Sequence, residues 1–415
     1  MLPTATDNGG RLAAILPTGL LALASSLDHT SENALRAGLG SLSGVNEELL
    51  QQVLHGLPKI HSLVVVVVDG LGSANLKARA GHAPTLSALP QRRITTVTPS
   101  TTAAAITSLT TGVLPGEHGH VGYKIRHPEL GVITSLRDWE HIPNVRQWQL
   151  AHPLFELATE SGIRSLAFGR PVHADSGFTR AVLTGTTYIG GKSIADRFSA
   201  ARDELDGSAP TLAYVYVDEL DRIGHSDGWQ SSGWSARLEQ FDAALADFLT
   251  GLPIGVGVVV TADHGMVDIA RHQQVVFDRA APELADVVAV GGEPRFRSFY
   301  LRDGADPHRF ASWLEQTEGK RAWVATRDQA FSAGFFGKTV SAGVTDRVGD
   351  VLLAARGQCA YYFSDDDTKS FDMVGQHGSW TDEEQGIPLV LGGALAGTGF
   401  ARAVGTLAAG RDSVA

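Results

Sequence analysis

The segment Leu63-Val-Val-Val-Val-Val68 constrains the fold more than any other stretch of the chain. It is a continuous, mostly β-branched apolar run without the alternation of a half-exposed strand. That pattern predicts a parallel strand buried on both faces. Asp69-Gly-Leu-Gly72 ends it. The arrangement recurs twice. Thr211–Val217 runs into Asp218-Glu-Leu-Asp-Arg-Ile-Gly-His225, and Val256–Val260 runs into Thr261-Ala-Asp-His-Gly265. Ser165–Phe168 and Pro388–Leu391 read as further core strands, and Leu154–Ser161 and Trp234–Leu249 as helices between strands. Strands alternating with helices predict an α/β fold: a mostly parallel central sheet with helices on both faces.

The expected organisation has three parts. Residues 1–270 form the first part of an α/β core, and residues 371–415 the last part. Residues 271–370 change character. Alternating segments at Ser298–Leu301, Ala322–Ala325 and Val348–Ala354 surround one helix, Pro307–Gln316, which suits a small α+β cap insertion. Residues 1–10 read as a loose tail. Arg11–Pro58 is mixed, with a helical stretch at Asn46–Leu54, and Asp138–Gln149 reads as a polar surface excursion.

A formal charge of −11 argues against a general nucleic-acid-binding surface. It leaves anionic substrates open, because bound metal ions reverse a local field. One cysteine, Cys359, allows neither an intramolecular disulfide nor a cysteine-based zinc site. The apolar patch Leu16–Leu27 contains Pro17 and Gly19 and is too short to span a bilayer. With no signal-peptide pattern at the N-terminus, the expectation is a cytoplasmic protein without membrane association.

Chemistry concentrates at the strand ends. In open α/β sheets, ligands bind outside the carboxyl ends of the strands. Asp69, Asp221 with His225, and Asp263 with His264 would converge there, joined by His377 from Val374-Gly-Gln-His-Gly378. Each residue alone is equally a turn or surface residue; the joint pattern carries the reading. Mixed carboxylate and imidazole ligands suit Zn²⁺, and also Mn²⁺ or Fe²⁺, better than Ca²⁺. Six ligands exceed the needs of one catalytic ion, so two ions are expected, flanking an in-line displacement. Thr98-Pro-Ser-Thr-Thr102 then puts hydroxyls at the start of a small-residue helix, Ala103–Thr111, with Gly112 as a left-handed stop. A helix N-terminus favours anions, and a hydroxyl there is a candidate nucleophile for phosphorus.

These motifs resemble the alkaline phosphatase superfamily, most closely its nucleotide pyrophosphatase/phosphodiesterase branch. The matching set is Val-Val-Asp69-Gly, Pro99-Ser-Thr-Thr102 with Thr111-Gly112, Pro115-Gly-Glu-His-Gly119, Asp221-Arg-Ile-Gly-His225, Thr261-Ala-Asp-His-Gly265 and Gly375-Gln-His377-Gly378, in the branch's order. The resemblance implies an alkaline phosphatase-like fold and a phosphohydrolase acting on a small phosphorylated substrate. It implies Thr102 as nucleophile, with Thr101 and Ser100 as the nearest rivals. One metal ion would be held by Asp69, Asp263, His264 and Thr102, the other by Asp221, His225 and His377. Zn²⁺ is the first expectation and Mn²⁺ the second. The Ala103 N–H would bind a phosphoryl oxygen, and hydrolysis would pass through a phospho-threonine. The branch places an Asn where this chain has Tyr123, so diester, monoester and phosphonate substrates all stay open, as does a catalytically inactive metal-dependent binder of phosphorylated ligands. A sulfatase is excluded, because Cys359-Ala-Tyr-Tyr362 does not fit its nucleophile motif. Tyr188-Ile-Gly-Gly-Lys192-Ser193 lacks the first glycine of a P-loop, so Lys192 reads as a surface residue at a helix start. In the cap, Arg295 and Arg297 are either surface charges or contacts to an anionic substrate.

If the Tyr123 hydroxyl takes over the phosphate contact, Tyr123→Phe lowers kcat/KM by about tenfold or more, the worth of one hydrogen bond to a charged group. Unchanged turnover in that variant removes the assignment.

Overall fold

The structure is a computed structural model that describes residues 2–3, 8–142, 144–205 and 207–414. The strands that organise it are, in chain order, β1 (Ser62–Val68), β2 (Gln91–Thr95), β3 (Arg164–Gly169), β4 (Thr187–Gly190), β5 (Thr211–Val217), β6 (Val256–Thr261), β7 (Val287–Glu293), β8 (Phe296–Leu301), β9 (Ala322–Thr326), β10 (Val351–Ala355) and β11 (Gly386–Gly393). The helices that matter for the site are α1 (Gly10–Ala24), α2 (Thr102–Thr111), α3 (Glu219–Asp227), α4 (Pro307–Glu318) and α5 (Phe400–Val414).

The central sheet has the order β2-β11-β6-β1-β5-β3-β4. β1 lies in its middle, and every residue of β1 is buried, as its unbroken apolar run predicts. β1 pairs in parallel with β5 and β6, with Val67 opposite Tyr216 on one side and Thr261 on the other. The three strands therefore end level, and their acidic loops leave the sheet at one edge. β11 is the exception to the parallel sense; it runs antiparallel to both β6 and β2. A second, antiparallel sheet has the order β7-β8-β10-β9. It packs with α4 around its own apolar cluster, which includes Leu284, Phe299, Phe310, Leu314 and Leu353. No helix among the described residues is long and apolar enough to cross a membrane.

Three readings of the sequence are corrected. The first concerns the N-terminal region. Of the expected tail, residues 1 and 4–7 lie outside the described residues, but Asn8 donates to the Phe335 carbonyl at 3.1 Å and Gly9 is buried against Val97. The following stretch is not mixed. α1 runs through Pro17 and Gly19 and is buried on nearly every face. It packs between α5 and α2, so an all-round apolar helix here belongs to the core. The second is Asp138–Gln149, of which position 143 is not described. Glu140 and His141 are exposed, yet Trp139, Trp148 and Gln149 are buried. Trp139 donates to the Ser135 carbonyl at 2.6 Å, and the Arg347 guanidinium lies 3.9 Å from the Trp148 ring centroid.

The third is the pair of cap arginines, which are neither surface charges nor anion contacts. Arg297 is buried and donates to the Tyr361 carbonyl and to Asp366. Arg295 is 0% exposed and forks onto both oxygens of Glu384, itself 0% exposed, at 2.6 Å each. This pair joins the cap to the segment that leads into β11. Removing one member of a buried, bidentate pair leaves the other charge without compensation. Arg295→Ala is therefore expected to lower stability by about 3–5 kcal/mol in urea unfolding. A loss below about 1 kcal/mol would mean that Glu384 finds another partner or water.

Candidate active site

The site lies beyond the level ends of β1, β5 and β6. Asp69 follows β1 directly and is buried. Gly70 has φ +74°, and a side chain there would meet Asp221 at 3.1 Å, so only glycine lets the two acidic segments approach. Asp263 and His264 follow β6 and are buried. Asp221 and His225 sit four residues apart on α3, on one helix face. Thr102 opens α2, and Gly112, at φ +74°, closes it in the left-handed region. Thr101, at the N-cap, makes no side-chain capping bond. The Ala103 N–H therefore belongs to the open, anion-favouring end of α2.

These residues form two adjacent groups, Asp69–Asp263–His264 and Asp221–His225–His377. Within each, the ligand atoms lie within 4.8 Å of one another. The His264 and His377 rings stack with centroids 3.6 Å apart, which brings the groups side by side. Thr102 Oγ1 lies 3.1 Å from His264 Nε2.

Each imidazole is oriented by a main-chain carbonyl. Nδ1 of His225 faces the Gly375 carbonyl at 2.8 Å, Nδ1 of His264 the Gly265 carbonyl at 3.0 Å, and Nδ1 of His377 the Ser100 carbonyl at 2.8 Å. A carbonyl only accepts, so Nδ1 carries the proton and Nε2 presents its lone pair to the cleft. Ser100 is committed to this scaffold. Its hydroxyl donates to the Ser379 carbonyl and accepts from the Gly378 N–H, and its own N–H donates to the Gly378 carbonyl. Of the three consecutive hydroxyls, the one on Thr102 faces the imidazole and carboxylate groups.

The electrostatics suit a divalent cation. His264 Nε2 stands 3.4 Å from Asp69 Oδ1 and 3.5 Å from Asp263 Oδ2, and His377 Nε2 stands 4.0 Å from Asp221 Oδ1. Acceptor faces acceptor in each case. Asp69 Oδ1, Asp221 Oδ1 and Asp263 Oδ2 are all buried and have no hydrogen-bond partner among the described residues. Burial, reinforced by the charges of Asp221 and Asp263, pushes Asp69 well above the ordinary carboxyl value. Burial likewise pushes Asp221 up to about 6 and raises Asp263. It pushes His264 down to about 3 and His377 well below its ordinary value. Neutral imidazoles beside crowded carboxylates match a site completed by divalent ions, and the oxygen–nitrogen mix suits Zn²⁺ or Mn²⁺.

Tyr123 is linked to the His377 loop through Glu293, whose side chain lies against Gly378. The Tyr123 N–H donates to Glu293 Oε2 at 3.0 Å, and its carbonyl accepts from the Ser135 N–H. Burial raises its hydroxyl above the ordinary 10.0, so it stays a donor at neutral pH. Glu293 itself, and Tyr216, escaped the sequence reading. Glu293 ends β7 in the Gly292-Glu-Pro-Arg295 turn, where the arginines drew attention. Tyr216 looked like one more strand residue, yet its hydroxyl donates to Asp69 Oδ2. Its place two residues before Asp218, at a strand end, was the available signal.

A family model described as Type I phosphodiesterase / nucleotide pyrophosphatase matches residues 63–380. Among curated proteins, ectonucleotide pyrophosphatase/phosphodiesterase family member 1 of Rattus norvegicus is 24% identical over 280 residues, covering 64% of this chain and 30% of that protein. Its Homo sapiens counterpart is 23% identical over 262 residues, covering 59% and 27%. The chain thus spans about a third or less of the length of these relatives. Among solved structures, murine ectonucleotide pyrophosphatase / phosphodiesterase 5 aligns with a TM-score of 0.62 at 20% identity, covering 80% of this chain and 88% of that one. Phosphonoacetate hydrolase from Sinorhizobium meliloti 1021, in complex with phosphonoformate, aligns with a TM-score of 0.63 at 20% identity, covering 86% and 97%. These likenesses agree on an alkaline phosphatase-like fold.

Glu293 supplies a test of the site's electrostatics. Its Oε1 is buried without a partner among the described residues, and its side chain lies against the position a Cβ of Gly378 would take. Burial pushes its carboxyl from 4.5 up to about 8, against the pull of the Tyr123 N–H and Arg297. The folded protein therefore holds this proton more tightly than the unfolded chain. The resulting stabilisation is fully present below pH 4.5 and is lost as the pH rises to about 8. Glu293→Gln has no such loss. Its unfolding midpoint relative to wild type should climb between pH 5 and pH 9, and a flat difference would show that Glu293 ionises as it does in water.

Proposed function

The chain belongs to the type I phosphodiesterase / nucleotide pyrophosphatase family, and from that premise we propose that it hydrolyses phosphodiester or pyrophosphate bonds in small phosphorylated molecules through a phospho-threonine on Thr102. The observation that carries this is the position of Thr102: at the open N-terminus of α2, with Oγ1 3.1 Å from His264 Nε2, beside two groups of unpartnered acceptors. Asp69, Asp263, His264 and Thr102 would hold one divalent cation, and Asp221, His225 and His377 the other, Zn²⁺ before Mn²⁺. Such ions, when bound, lower the pKa of a neighbouring hydroxyl and offset negative charge on phosphoryl oxygens.

The chain's own residues do the rest. Its place at the start of α2, 3.1 Å from His264 Nε2, sets Thr102 Oγ1 among the same donor atoms. The Ala103 N–H and the end of α2 receive a phosphoryl oxygen, where developing negative charge is favoured. Thr102 loses its hydroxyl proton to solvent as Oγ1 forms a bond to phosphorus and the bond to the leaving oxygen breaks, and the leaving oxygen takes up a proton from water. Water then attacks the same phosphorus and loses a proton, the Oγ1–phosphorus bond breaks, and Thr102 Oγ1 is reprotonated. A threonine nucleophile accords with the murine phosphodiesterase 5 structure of an inactive threonine-to-alanine variant in complex with AMP.

Tyr123 favours a second reading, a phosphomonoesterase or phosphonate hydrolase on the same site, since the branch's Asn is absent there. Parallel turnover of bis-(p-nitrophenyl) phosphate and p-nitrophenyl phosphate, with metal content assayed on the same sample, separates the two. Diester turnover above monoester, two ions per chain and a loss of at least about 10³-fold in Thr102→Ala are expected. Monoester preference would move the function to a phosphatase. Bound metal without turnover of either ester would favour a binder of phosphorylated ligands.

A further inference from the structure

We propose that Tyr216 is a positioning residue for the metal site: by donating to Asp69 Oδ2, it leaves Oδ1 as the single oxygen that Asp69 offers to a cation held with Asp263 and His264. The inference rests on the two-cation reading above and goes beyond it.

The two carboxylates of this group are each half occupied by the protein. Asp69 Oδ2 accepts from the Tyr216 hydroxyl, while Oδ1 has no partner among the described residues. Asp263 Oδ1 accepts from the Gly70 N–H at 3.2 Å and the His264 N–H at 2.9 Å, while Oδ2 has none. One donor set therefore selects one oxygen of each carboxylate, and both selected oxygens lie within 3.5 Å of His264 Nε2. Asp221 differs. Its Oδ1 is unpartnered, and its Oδ2 faces His225 Nε2 at 3.4 Å, where the lone pair points. No donor among the described residues selects between its oxygens.

Tyr216 is well placed to hold this hydrogen bond. It is the next-to-last residue of β5, in register with Val67, two residues before Asp69. Its ring stacks on Tyr214, with centroids 6.3 Å apart, and meets the His173 ring edge-on at 6.3 Å. The backbone beyond it enters α3 and delivers Asp221. One segment thus steers a ligand of the first group and supplies a ligand of the second. Ligand carboxylates depend on such outer hydrogen bonds, and losing one typically weakens metal binding by about 10–100-fold.

The test is a Zn²⁺ titration of the full chain, stripped of metal, in competition with a chromophoric chelator. Wild type should bind two ions in resolvable steps, and Asp69→Asn marks the step that belongs to its group. Tyr216→Phe keeps the ring and its stacking. It should weaken that marked step by about 10–100-fold and leave the other step unchanged. Far-UV circular dichroism of the metal-free variant separates this from a folding defect. Wild-type affinity at both steps, or a loss at the other step, overturns the inference. Fewer than two ions on wild type overturns the two-cation reading itself, and that failure appears before any variant is compared.

Discussion

Asp69, Asp221 and Asp263 meet at one end of the central sheet, and the cost of withdrawing their charges from water is the constraint under which the rest of the structure is arranged. Buried carboxylates without compensation oppose folding. Imidazoles stand within ion-pair distance of them, and no arginine or lysine among the described residues does. The apolar core has to offset this cost. β1, buried throughout, and β6, buried throughout, supply the rigid strand ends on which Asp69 and Asp263 sit. α1, packed against α2, backs the helix that carries Thr102. The strain is local, and the framework around it is an ordinary hydrophobic one. Such local costs within a consistent framework are common at functional sites.

Hydrogen bonds then decide which atoms face the cleft. All three imidazoles spend Nδ1 on main-chain carbonyls, which frees Nε2. Ser100 ties the turn before α2 to the Gly378–Ser379 loop through its hydroxyl and main chain. The turn before Thr102 and the loop that carries His377 are thereby tied together. An error of about an ångström in either would misplace the reacting atoms. Tyr216 extends the same logic to Asp69.

The cap is fastened to the core by more than apolar contact. Arg295 reaches across to Glu384, which also accepts from the Ser379 N–H and the Thr381 hydroxyl. β7 ends at Glu293, against Tyr123 and Gly378. The cap therefore touches two of the loops that frame the cleft.

Much of this was legible in the chain itself. Short β-branched apolar runs ended by an acidic or glycine turn favour a strand covered on both faces, so the core strands and the acidic loops after them follow from local pattern. The four-residue spacing of Asp221 and His225 puts them on one helix face by geometry alone. Other features depend on partners distant in sequence. Pro17 and Gly19 weakened the helical signal of α1, and tertiary burial overrode it. In the 138–149 stretch, Trp148 lies under Arg347, far along the chain, and Trp139 packs beside His120 and Phe178. Arg295 looked like a surface charge until folding brought Glu384 to it. Residue order thus determined the strands, the acidic loops and the run of three hydroxyls before α2. Only the tertiary structure decided which carboxylate oxygen, which ring nitrogen and which of three hydroxyls faces the cleft, because hydrogen-bond direction exists only once the partners meet.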